Sequence, residues 1–76
     1  MTDIIVRGTP WLHIRFEGRS QDIPLSDLDI GALSSDEQVR SAVAAFLNVP
    51  ASKLRLYVVE RHANGNLTVR PEAVFG

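Results

Sequence analysis

The sequence predicts an α+β domain: a small mixed sheet in ββαββ order, with one amphipathic helix on one face. Three observations carry that expectation. Val39, Ala42, Val43, Phe46 and Leu47 recur at helical spacing. Leu12, Ile14 and Phe16 alternate with Trp11, His13, Arg15 and Glu17 at the period of a strand with one buried face. The chain has 76 residues, 45% of them hydrophobic and 22% charged, which suits one domain with a thin core.

The elements follow in order. Residues 3–7 contain the β-branched run Ile4-Ile5-Val6 and read as the opening strand. Gly8-Thr9-Pro10 turns the chain into the strand over residues 11–17, so the two form a hairpin. From Gly18 to Leu33 the pattern loosens, because Gly18, Pro24 and Gly31 break regular structure. Ile23, Leu25, Leu28, Ile30 and Leu33 are expected to anchor this stretch to the core, with a short strand over residues 22–25.

The helix follows. Ser34 or Ser35 caps it, with Glu37 or Gln38 in the reciprocal position three residues on. Asn48 is suited to a left-handed terminator and Pro50 blocks continuation. After a tight turn over residues 50–53, a strand is expected over residues 54–61. Asn64-Gly65 predicts a two-residue type I′ turn, and residues 67–70 return as the last strand. Pro71 ends the pairing, and an apolar tail closes at Gly76.

This order is similar to that of a ubiquitin-like β-grasp domain. The features carrying the resemblance are the single amphipathic helix, the turn Val49-Pro50-Ala51-Ser52 before a strand, the length and the terminal glycine. Ubiquitin and the related sulfur-carrier proteins act through a carboxy-terminal glycine pair whose carboxylate a partner enzyme adenylates. The resemblance therefore implies a carrier or modifier role for the Gly76 carboxylate. Phe75 stands where the penultimate glycine would be, and its bulk opposes entry into a narrow activating channel.

Composition narrows the chemistry. Without cysteine there is no disulfide framework, thiolate nucleophile or cysteine metal site. His13 and His62 share no metal-ligand spacing, so no metal and no cofactor is expected. Glu60 and His62 lie two apart on one strand face, which reads as a solvated edge rather than an acid–base pair. The serines sit in no nucleophile-elbow context, and no Gly-rich phosphate loop is present. The expected protein is not an enzyme. The amino terminus lacks the pattern of a signal peptide and no apolar run is long enough to span a bilayer, so the expected location is cytoplasmic.

Charge is more informative when divided. The formal net charge is -1. Between Ser20 and Val39 lie Asp22, Asp27, Asp29, Asp36 and Glu37 with no base, a local −5. Elsewhere eight bases, seven of them arginine, against Asp3, Glu17, Glu60 and Glu72 leave +4. Strand parity then predicts what the helix leaves uncovered. With Leu54, Leu56 and Val58 facing the helix, and Val59 opposite Arg70, the open face would hold Trp11, His13, Arg15, Arg55, Tyr57, Arg61 and Arg70. Aromatic rings among arginines suit a recognition surface. The expected function is a protein-interaction module working through that face, as a monomer or weak dimer. Single-stranded nucleic acid is an alternative occupant, disfavoured by the acidic stretch.

Overall fold

The computed structural model describes residues 10–72. The expected strand over residues 3–7, its hairpin, and the tail over residues 73–76 lie outside the described residues. Four strands form one mixed sheet: β1 (Trp11–Phe16), β2 (Arg19–Pro24), β3 (Tyr57–Arg61) and β4 (Leu67–Pro71). Their order across the sheet is β2-β1-β4-β3, with β1 and β4 parallel at the centre and an antiparallel hairpin on each side. One helix, α1 (Asp36–Leu47), links the two hairpins. Among the described residues, no helix is long and apolar enough to cross a membrane.

The first hairpin turns through Glu17-Gly18, because Phe16 pairs directly with Arg19. Both turn residues have positive φ, 51° and 80°, as a type I′ turn requires. Gly18 meets this freely, whereas Glu17 carries a side chain into a conformation that glycine, asparagine or aspartate adopts more easily. β2 is longer than the short strand expected over residues 22–25. Its polar first four residues, Arg19-Ser20-Gln21-Asp22, conceal its extent in the sequence, and that polarity fits an edge strand.

Helix α1 begins as the sequence indicates. Ser35 Oγ accepts from the Gln38 backbone N–H at 3.1 Å, and Gln38 Oε1 accepts from the Ser35 N–H at 2.8 Å. Asp36 and Glu37 occupy the positive end of the helix dipole. At the other end Asn48 takes φ 60°, and the amides of Asn48 and Val49 close on Ala45 and Ala44 carbonyls. The buried side is Val39, Val43 and Ala44, with Ala42 and Leu47 half-buried. Phe46, expected in the stripe, lies at its margin and is half-exposed.

Single 3₁₀ turns on either side of α1, Leu25–Leu28 and Ala51–Leu54, each follow a proline and drive leucines into the core. Leu54 is thereby buried from a turn rather than from the strand expected to begin there. Leu33 contradicts its expected anchoring role, standing 98% exposed in the loop before the helix. The core is completed by Leu12 and Ile14 of β1, Ile23 of β2, and Leu67 and Val69 of β4. No polar side chain among the described residues is buried with them.

Candidate functional site

The face opposite α1 is built by strand register. Leu12, Ile14, Leu67 and Val69 point to the helix side, so Trp11, His13 and Arg15 of β1 and Thr68 and Arg70 of β4 point away. His13 is aligned with Asp22 on β2 and with Thr68 on β4, and Thr68 is aligned with Glu60 on β3. One row therefore crosses the open face as Asp22, His13, Thr68 and Glu60. Arg15 lies beside Ser20, and Arg70 beside Val58, in the next row.

Strand β3 corrects the expected surface. Arg61 pairs with Leu67, Val59 with Val69 and Tyr57 with Pro71. Tyr57 and Arg61 consequently lie on the helix side, not on the open face. The cause is the connection. Gly65 N–H donates to the His62 carbonyl and His62 N–H donates to the Asn66 carbonyl, both at 2.9 Å, while Gly65 alone takes positive φ, at 93°. The turn thus holds Ala63, Asn64 and Gly65 instead of the two residues expected. One extra residue in the turn slips the register by one and exchanges the faces of β3.

The displaced residues have structural partners. Arg61 donates to the carbonyls of Ala32 and Ser34 at 2.8 and 2.7 Å and to Asp36 Oδ1 at 2.6 Å. This fork fastens the loop and first turn of α1 to β3. The Tyr57 ring packs 5.7 Å from Phe16, and its carbonyl accepts from Arg40 at 3.2 Å. Arg55 is exposed at the end of the second 3₁₀ turn and belongs to no strand. Of the seven residues proposed from sequence, Trp11, His13, Arg15 and Arg70 share the open face.

Two chemically different ends divide that face. At one, Trp11, His13, Asp22, His62, Asn66 and Thr68 line a shallow cavity of about 430 Å³. Trp11 is 45% exposed there. The His13 Nδ1–H donates to Asp22 Oδ1 at 2.6 Å, a direction fixed because an ionised carboxylate only accepts. His62 Nε2 pairs with Thr68 Oγ1 at 2.8 Å, and Asn66 Oδ1 accepts from the Trp11 backbone N–H at 2.9 Å. At the other end, Arg15, Gly18, Arg70, Pro71 and Glu72 border a second hollow.

Between them Arg70 donates to Glu60 Oε2 at 2.8 Å. That hydrogen bond, with the arginine charge behind it, holds the Glu60 carboxyl below the ordinary glutamate range. The same bond raises Arg70. The sequence offered a partial signal for this end in the Glu60/His62 spacing. It placed Asp22 at the start of a short strand over residues 22–25 but gave no pairing with His13, because residues 19–21 do not read as a strand. Among the described residues no three potential metal ligands converge. Gly76, the implied carrier terminus, lies outside the described residues. Comparison with protein-family models, with curated proteins and with solved structures finds no match.

Proposed function

We propose that this chain is a small, non-enzymatic binding module of the β-grasp type, and that its partner, a protein, docks on the open sheet face. Support for the fold assignment comes from the strand order, with a parallel central pair between two hairpins and one helix on one side. The observation carrying the functional reading is Trp11. A large aromatic ring stands 45% exposed on the face the helix leaves uncovered, surrounded by hydrogen-bonding side chains. Exposed aromatic rings framed by polar groups are the usual anchors of protein interfaces.

Charge favours a protein over a nucleic acid. Asp22 and Glu60 share the face with Arg15 and Arg70, and Arg70 is already neutralised by Glu60. A surface so balanced attracts no phosphate backbone. Chemical-shift mapping of the isotope-labelled chain against fractionated extract or a candidate partner tests the reading. Perturbations at Trp11, His13, Arg15 and Arg70, abolished in Trp11→Ala, are the expected result. Perturbations confined to α1 or to the acidic stretch between Asp22 and Glu37 overturn it.

A further inference from the structure

We infer that the partner docks as an extended segment that places an arginine side chain in the Trp11–His13–Asp22 cavity and an acidic side chain two residues away against Arg15. This rests on the open-face reading and names the chemistry of its occupant. The cavity is set up to accept hydrogen bonds. With Oδ1 taken by His13 Nδ1, Asp22 keeps Oδ2 free of any protein donor among the described residues. Beside it is the exposed indole of Trp11. A carboxylate oxygen and an indole face together fit a planar cation rich in donors: the guanidinium stacks on the ring and donates to the carboxylate. The carboxylate makes an anionic occupant unfavourable at this end.

Arg15 fixes the second half. It follows His13 by two on β1 and shares its face, so it stands roughly 7 Å along the strand. Unlike Arg70, it has no carboxylate partner among the described residues. Its side chain borders the hollow that also includes Arg70 and Glu72, and with Arg70 held by Glu60 it is the Arg15 guanidinium that is left to meet an incoming acid. An extended segment carries same-face side chains at the same spacing, so an arginine and an acid separated by one residue match the two ends together.

The test uses the full chain, isotope-labelled, and short extended peptides that differ only at the two positions: Arg-Thr-Glu, citrulline-Thr-Glu and Arg-Thr-Gln. Citrulline keeps the shape of arginine and removes its charge. The Arg-Thr-Glu peptide is expected to shift the Trp11 indole N–H and the amides of His13, Arg15 and Asp22. The citrulline peptide is expected to bind about tenfold more weakly, the combined scale of one exposed cation–π contact and one exposed ion pair. On Asp22→Asn, whose side chain is exposed on an edge strand, the gap between the arginine and citrulline peptides should narrow to about two- to fivefold, the scale of the cation–π contact alone. Exchanging Glu for Gln should weaken binding to the wild-type chain and leave Arg15→Gln unaffected. Equal affinity of the arginine and citrulline peptides, with shifts still on the open face, overturns the guanidinium assignment and leaves the open-face reading standing. Shifts on α1, or none at all, overturn both.

Discussion

Replacing Arg61 with alanine separates the observed register from the one expected from Asn64-Gly65. In the structure Arg61 ties β3 to the carbonyls of Ala32 and Ser34 and to Asp36 through three hydrogen bonds of 2.6–2.8 Å. Its side chain is 38% exposed and that of Asp36 is 52% exposed, so each bond is discounted for solvent. At about 0.5–1 kcal/mol each, the loss is about 2 kcal/mol. For a domain of this size that lowers Tm by about 8–16 °C. Asp36→Asn removes one ionic contact and should cost only about 0.2–1 kcal/mol. Arg61→Lys should fall between the two, since a single ammonium cannot reproduce the planar fork that reaches three acceptors. Urea denaturation monitored by Trp11 fluorescence measures all three. Amide exchange should rise over residues 32–38 in Arg61→Ala. An exposed arginine on the open face would cost no more than about 0.5 kcal/mol on removal. A value that small, with unchanged exchange in the loop, refutes the observed register.

Two further outcomes follow from the hairpins and the open face. Glu17→Asn should stabilise the chain by about 0.5 kcal/mol in urea denaturation, because Glu17 takes φ 51° in a type I′ turn where asparagine is at ease. Loss of stability instead would show that the Glu17 side chain makes a compensating contact. The Glu60 carboxyl should titrate below an unstructured glutamate, as read by the side-chain carbon shift across an acid titration. Because its pKa is lowered on folding, its contribution to stability is present above the unfolded value and is lost as pH falls through the folded one. Glu60→Gln should remove that part of the acid dependence, and Arg70→Gln should return Glu60 to its ordinary range.

Local chemistry made α1 legible. Ser35, Gln38, Asn48 and Pro50 each mark a terminus by a mechanism that needs no tertiary contact, and Val39 and Val43 mark the buried side. Strands β1 and β4 were legible for a similar reason, since Leu12, Ile14, Leu67 and Val69 alternate without ambiguity. β2 was not. An edge strand that buries little has no need of apolar alternation, so Arg19, Ser20 and Gln21 look like loop residues until β1 pairs with them, and only the end of the strand, residues 22–25, was expected. The candidate site shared that fate: Trp11, His13, Arg15 and Arg70 were visible through β1 and β4, whereas the pairing that sets Asp22 beside His13 was not. Leu33 and Phe46 show the converse limit, because apolarity marks a candidate for burial without securing a place in so small a core.

Strand β3 was illegible for a different reason. Its centre, Tyr57-Val58-Val59, is apolar on both parities, so alternation does not choose a face and the turn must. Two residues in that turn would set Val58 against the helix and Arg61 among the open-face side chains. Three residues, with glycine alone at positive φ, place Val59 and Tyr57 against the core and swing Arg61 to the start of α1. The same residue of turn length therefore secures the helix and clears the open face of two ring-and-cation side chains. What remains there is asymmetric, an indole with acceptors at one end and arginine at the other. An even scatter of arginines would favour any anion, whereas the proposed occupant carries its own charges ordered along its length to match this division.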